Sequence, residues 1–270
     1  LELPPPLDLE SGEAVVSAIV GHDAFLVTTL VRLAGVTLHG DAFATWYVSG
    51  VPEPLFNGVI ATRMTDADAD RRIDELLGRF KEEGVPAMWW ATPLSTPADL
   101  AARLAARGLH RISMPGMSLD LTGFAAAPAP DGLRIEVVGD AAGIDAWMEA
   151  SSDVFGIEPE QRPRYRQTPQ AVLGGDVPGW CVTGWWEDRP VATAMVCVGT
   201  GVAGLSNIAT ISSHRRRGLG AAVTSRGLEL ARDAGYRTAV LTSTDSGRPL
   251  YEALGFSTRC TVDVFEAAPA

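Results

Sequence analysis

An α+β fold built twice to one plan is the class that this 270-residue sequence predicts. Three observations carry it. Helix, strand, short helix ending in glycine and final strand follow one another in that order in both halves of the chain. A stretch of small residues and prolines, TGFAAAPAPDG, lies between the halves and reads as a linker. In the second half, three strand-like runs in succession precede a long helical pattern, so strands and helices do not strictly alternate.

Taken in order, LELPPPLDLE is an extended lead-in. In the first half AFATWYVSG and FNGVIATRM read as strands, and ADADRRIDELLGRFKEEG as a helix closed by Gly84. VPAMWWATP is a strand. Trp89 and Trp90 are neighbours on it and therefore face opposite sides, one toward the core and one toward an interface. TPADLAARLAARG is a helix with Thr96 as N-cap and Pro97 at its first position, and HRISMPGMSLDL is a last strand or hairpin.

In the second half LRIEVVGD is a strand. AAGIDAWMEASSDVFG is an amphipathic helix with Ile144, Trp147 and Met148 at helical spacing. PEQRPRYRQTPQAVLGG is a helix interrupted by its prolines. GWCVTGWWED, VATAMVCVGT and GVAGLSNIAT are strands, the first two joined by a turn at EDRP. Leu219 to Ala234 is a helix that Gly235 ends. RTAVLTST is a buried strand, GRPLYEALG a short helix and FSTRCTVDVFE a final strand. The expected division is 1–122, a linker at 123–132, and 133–270.

Composition removes several function classes. Hydrophobic residues make up 46% of the chain, enough for a sizeable core. The net charge of −11 disfavours a nucleic-acid partner, because phosphate contacts need local positive charge. Charged residues, glycine or proline break the apolar runs before ~20 residues, so no membrane span is expected. No basic segment precedes an apolar one at the start, so no signal peptide is expected. Cys181, Cys197 and Cys260 are widely spaced and read as free thiols in a reducing cytoplasm. No Cys/His ligand spacing occurs, and no metal site is expected.

Against this acidic background NIATISSHRRRGLGAA stands out. A strand running into a glycine-bearing turn and then a helix offers unpaired backbone N–H groups to an anion. Gly218 and Gly220 let the backbone approach a phosphate, and Arg215, Arg216 and Arg217 add charge-assisted contacts. The P-loop lysine is missing, and no dinucleotide fingerprint is present. Downstream, TDSGRPLYEALGF places Tyr251 on a short helix ending in Gly255-Phe256.

This combination resembles the GNAT superfamily of acyl-CoA-dependent N-acyltransferases. Arg215 to Gly220 match the family's Gln/Arg-x-x-Gly-x-Gly/Ala motif, and Ile208-Ala209-Thr210 match the strand before it. Leu250-Tyr251 and Gly255-Phe256 match the second motif, with Gly247 in place of its alanine and Thr244 in place of its asparagine. The resemblance implies two GNAT-like domains in tandem, each a mixed, mostly antiparallel central sheet flanked by helices. It implies that Ile208, Ala209 and Thr210 pair with the pantetheine of acetyl-CoA and that the Ile208 N–H faces the thioester carbonyl. Arg215, Arg216, Arg217, Gly218, Leu219, Gly220 and Ala221 would hold the pyrophosphate, with Thr244 also on the CoA side. Tyr251 would protonate the leaving thiolate.

The implied activity is cytoplasmic N-acetyl transfer to a primary amine of a small molecule or peptide, and a homodimer is left open. The alternative is a non-catalytic acyl-CoA-binding protein on the same fold. No acid occurs in RTAVLTST or GLSNIAT to act as general base. Ser206, Asn207, Asp153, Glu158 and Glu160 are the weaker candidates. TDADADRR, where the first half would need its glycine pair, is acidic and predicts that this half does not bind CoA.

Overall fold

The computed structural model describes residues 3–9 and 11–268. The expected strands and helices are present, and one long helix and a three-residue strand precede them. This helix, α1 (Gly12–Leu33), starts at Ser11, whose Oγ accepts from the Ala14 N–H at 3.1 Å. Its 22 residues are long and apolar enough to cross a membrane by composition. Here they lie on the sheet, with Ile19, His22, Asp23, Val27 and Val31 buried. Helical periodicity is weak because apolar residues occupy most of its faces, as in helices covered on several sides.

The first half continues with β1 (Leu38–Gly40), β2 (Ala44–Val48), β3 (Asn57–Thr62), α2 (Asp66–Glu82), β4 (Ala87–Ala91), α3 (Leu100–Ala106) and β5 (His110–Asp120). The second contains β6 (Leu133–Val137), α4 (Ala141–Phe155), α5 (Arg162–Tyr165), α6 (Gln167–Gly174), β7 (Gly179–Trp186), β8 (Arg189–Cys197) and β9 (Ala203–Thr210). It closes with α7 (Leu219–Asp233), β10 (Thr238–Thr242), α8 (Arg248–Ala253) and β11 (Ser257–Ala267). The EDRP turn is a two-residue hairpin loop. Glu187 and Asp188 adopt φ of 47° and 61°, the double left-handed conformation that matches the twist of paired strands.

One expectation is corrected. Thr96 does not cap α3, which begins at Leu100 after Asp99. Its backbone is engaged elsewhere: its N–H donates to the Thr62 carbonyl and its carbonyl accepts from the Met64 N–H, both at 3.1 Å. Thr96 thus continues the sheet beside β3, and the helix starts only when this pairing ends.

All strands join one 11-stranded sheet in the order β1-β2-β3-β4-β11-β5-β10-β9-β8-β7-β6. The order reads almost the same from either end, except that β6 has no counterpart in the first half. Each half contains one parallel pair, β3 with β4 and β9 with β10; all other pairs are antiparallel. The last strands are exchanged. β5 of the first half lies against β10, and β11 of the second lies against β4. The two exchanged strands also pair with each other along most of their length. Residues 123–132 form no helix or strand but lie on α7: the Phe124 carbonyl accepts from Arg232 at 3.1 Å, and the Ala127 N–H donates to Ser225 Oγ at 3.0 Å.

Helix α1 ties the halves together. Val27 and Val31 pack with Tyr47 and Ile60 of the first half, and Ile19 packs with Val202 and Val240 of the second. Each such fully buried aliphatic side chain contributes roughly 1.5–3 kcal/mol. The helix approaches β9 closely at Gly204, where a Cβ would lie 1.9 Å from the His22 ring.

Candidate active site

The site begins where β9 and β10 part. They pair only at Ala203–Ala239 and Gly204–Val240, and from Leu205 onward no strand lies on that edge of β9. The opposite edge is distorted at the same place. Thr193 of β8 faces Ala209 and Met195 faces Ser206, so Asn207 and Ile208 form a bulge without partners in the register. Asn207 takes φ of 50°, and its carbonyl is held by the Thr193 hydroxyl at 2.9 Å. The bulge turns the backbone of Ile208 to Thr210 along a cleft of about 690 Å³.

The far end of this cleft is the start of α7. Its N-cap is Gly218, with φ of 82° and no side chain to cap the first N–H groups. Those donors and the helix dipole therefore face the cleft. At Gly220 a Cβ would meet Leu250 Cδ1 and Thr210 Oγ1, both at 3.0 Å, so any side chain would crowd the wall. Leu219 and Ala221 complete this first turn. Arg215 and Arg216 line the cleft; Arg215 is steadied by a 3.1 Å bond from its Nε to the Thr210 carbonyl. Arg217 points away, with its guanidinium 5.7 Å from the Trp186 ring centroid. The uncapped helix start and the free strand edge fit a pyrophosphate and a pantetheine arm.

Tyr251 forms one wall, beside Leu241 and Thr244. Burial raises its hydroxyl to about 12, so it holds its proton at neutral pH. Thr244, in place of the motif's asparagine, accepts from the Gly247 N–H at 3.2 Å and thereby caps the turn into α8. Gly247 is equally constrained: a Cβ there would meet Ser243 Oγ and Tyr251 Cε2 at 3.2 Å.

A second, apolar cavity of about 250 Å³ adjoins the cleft. Phe155, Ser206 and Asn207 line both spaces. Its walls come from both halves: α1, Leu55 and Trp90 from the first, and Trp147, Tyr165 and Met195 from the second. The tryptophan pair divides as expected from its position on a strand. Trp89 is core, donating its indole N–H to Thr62 Oγ1 at 3.0 Å, and Trp90 faces the cavity between the halves.

Sequence reasoning missed Asp23. It lines the apolar cavity, and its carboxylate accepts from Thr242 Oγ1 at 2.6 Å; Thr242 lines the cleft. Burial lifts its carboxyl to about 7, and the Thr242 bond only partly offsets this. Among the described residues lining the two spaces, Asp23 is the one carboxylate. Asp153 and Glu158 border a separate depression with Arg162 and Arg189, and Glu160 lines neither space. An acidic residue in the middle of a 22-residue helix whose other charged residues, Glu13 and Arg32, lie in its end turns was the available signal.

In the first half the corresponding fork is filled. β3 and β4 pair only at Gly58–Met88 and Val59–Trp89, and Thr96 then occupies the free edge of β3. The start of α2 is capped by Thr65, which accepts from the Asp68 N–H at 3.2 Å, and carries Asp66 and Asp68 in its first turn. Neither a free edge nor an anion site remains there.

The second half thus holds a forked sheet with a helix start aimed into the fork, and the first half repeats the same elements with the fork filled. Residues 144–256 match the acetyltransferase (GNAT) family. None of the curated proteins matches the chain in sequence. Among solved structures, a GCN5-related N-acetyltransferase from Kribbella flavida is 18% identical, with 92% of this chain and 96% of that one covered and a TM-score of 0.69. A GCN5-related N-acetyltransferase from Sphaerobacter thermophilus is 15% identical, with coverages of 84% and 77% and a TM-score of 0.64. A tandem GNAT protein from the clavulanic acid biosynthesis pathway is 14% identical, covered end to end in both chains, with a TM-score of 0.59. At these identities the likeness is one of fold, and it spans both halves.

Proposed function

We propose that this protein transfers an acetyl group from acetyl-CoA to a primary amine by direct attack on the thioester. The observation that carries the reading is the β9–β10 fork, with the free edge of Ile208 to Thr210 on one side and the uncapped start of α7 at its end. Ile208, Ala209 and Thr210 would bind the pantetheine as an added strand. Arg215, Arg216 and the N–H groups of Leu219, Gly220 and Ala221 would hold the pyrophosphate. Arg217 would act outside the cleft, against Trp186.

The chain's own groups then supply the chemistry. The Ile208 N–H would donate to the oxygen that gains charge as the amine attacks, a preorganised contact of the kind that dominates acyl transfer. Tyr251, held protonated by burial, would give its proton to the departing sulfur. The second half, 133–270, would carry the donor site, and the first, 1–122, would help to shape the acceptor side.

The test is twofold. Calorimetric titration with acetyl-CoA reads binding, and release of free thiol against a panel of amines reads transfer. Binding with no turnover by any acceptor would favour the non-catalytic alternative. Absence of saturable binding would remove both readings.

A further inference from the structure

We infer that the apolar cavity is the acceptor site for small primary amines with an apolar body and no carboxylate, and that Asp23 of α1 is the general base that takes the proton of the bound ammonium. The inference rests on the proposed acetyl transfer and names its substrate class and its base.

The placement of groups supports it. Ser206, Asn207 and Phe155 line both the cavity and the cleft, so an amine seated in the cavity would direct its nitrogen past them toward Ile208 of the cleft. Asp23 stands at this junction, bonded to Thr242 of the cleft wall. The cavity is lined by aromatic and aliphatic side chains, and no arginine or lysine is among the described lining residues. An ammonium group is therefore matched by Asp23, whereas a substrate carboxylate has no cation to meet. Arg164, beside Tyr165, is spent on an ion pair with Glu53. At about 250 Å³ the space suits a molecule of arylethylamine size and excludes a folded peptide segment. Four polar atoms in its wall are buried without partners: Trp90 Nε1, Ser151 Oγ, Thr168 Oγ1 and Ser206 Oγ. Ser151 and Thr168 are 1% and 8% exposed, and water cannot readily satisfy them from bulk. They suit a neutral hydrogen-bonding group on the amine. A long acyl chain would set hydrocarbon against the Asp23 carboxylate, which an ammonium group would pair.

The proton balance is simple. Asp23 takes one proton from the ammonium, and the freed lone pair forms the nitrogen–carbon bond. The carbon–sulfur bond breaks as Tyr251 gives its proton to sulfur, and the second nitrogen proton returns to the Tyr251 oxygen. The proton on Asp23 leaves to solvent with the product. A carboxyl near 7 is matched to this task at neutral pH. The titratable neighbours are His22 on the same helix, Cys260 of β11, whose thiol Asp23 and burial push up, and Tyr165 across the cavity; β10 presents the Thr242 hydroxyl.

The whole 270-residue chain tests this with 2-phenylethylamine and tyramine against phenylalanine and tyrosine. Expected is at least a 50-fold preference in kcat/KM for the two carboxylate-free amines. The kcat/KM profile should rise through about pH 7. Asp23→Asn should lower kcat/KM at least 100-fold at pH 7, keep acetyl-CoA affinity within threefold, and recover part of its rate at high pH, where free amine is abundant. Leu30→Trp, which fills the cavity, should raise amine KM at least tenfold with acetyl-CoA affinity kept. Equal use of amino acids, or an unchanged pH profile in Asp23→Asn, overturns the inference while acetyl transfer itself stands. So does a preference for long acyl-CoA donors without discrimination among amines. If no amine is acetylated, calorimetry on the CoA-bound protein decides: 2-phenylethylamine binding that Asp23→Asn abolishes sustains the site, and no binding overturns it.

Discussion

Burial raises both Tyr251 and Asp23: the Tyr251 hydroxyl keeps its proton at neutral pH, and the Asp23 carboxyl, at about 7, is ionised only in part there and is more basic than an ordinary carboxylate. Tyr251→Phe keeps the ring that packs edge-on against Phe256 and removes only the hydroxyl. The chemical step should slow about 10²-fold with little change in acetyl-CoA affinity, as read by single-turnover kinetics beside calorimetry. A parent rate with chemistry limiting would reduce Tyr251 to packing. Asp23 also imposes a cost on the fold. Its carboxyl titrates from 3.8 to about 7 on folding, so the native state retains a proton that the unfolded state has released. Stability therefore falls as pH rises across that window, by on the order of 4 kcal/mol. His22 has the opposite sign: burial pulls it from 6.5 to about 4, so stability rises with pH across that range. The two nearly cancel below about 6.5, and the Asp23 loss is exposed above it. Urea unfolding at pH 5, 6.5 and 8 should show Asp23→Asn gaining stability most at pH 8. A gain independent of pH would mean that Asp23 is not the titrating group.

At the scale of elements, the start of α7 and the edge of β9 would make the proposed donor site together. Neither would serve alone, since a helix start without a free strand edge holds only the phosphates. Gly220 lies where they meet, 3.0 Å from Leu250 and Thr210 once a Cβ is added. Gly220→Val should weaken acetyl-CoA binding at least tenfold, about 1.4 kcal/mol, in calorimetric titration with circular dichroism as the check on folding. Unchanged affinity in a folded variant would place the phosphates elsewhere. The first half shows the same elements with the site closed, because Thr96 pairs with β3 and Thr65 caps α2. Titration of the whole chain should accordingly give one acetyl-CoA per polypeptide; a stoichiometry of two would contradict the filled fork.

For the molecule as a whole, the exchanged strands matter most. Each half places its last strand in the other's part of the sheet, so cutting the chain within 123–132 leaves β5 without β10 and β11, and β11 without β4 and β5. Expressed separately, residues 1–125 and 128–270 should be insoluble or unfolded, because long unpaired edges and the apolar faces beneath α1 are exposed. Co-expressed, they should reassemble and bind acetyl-CoA. Independent folding of either piece, seen as a cooperative thermal transition, would show that the exchange is dispensable. The same exchange and the bridging α1 hold the apolar cavity between halves, so its shape depends on both.

The sequence alone determined the local parts: the order of strands and helices after β1, the glycine start of α7, Tyr251 on α8, the opposed tryptophans and the acidic start of α2. These are legible because periodicity, glycine conformation and caps act within a few residues. Helix α1 was not legible, since a helix covered on several faces loses its amphipathic period. Nor was the Thr96 pairing, which overrides a good N-cap and Pro signal through partners more than 30 residues away. Only the tertiary structure brought Asp23 to Thr242, 219 positions apart, and set Trp90 and Leu55 against Trp147. The physical reason is that a buried carboxylate is defined by what surrounds it, and here those surroundings come from chain segments that pattern and spacing do not connect.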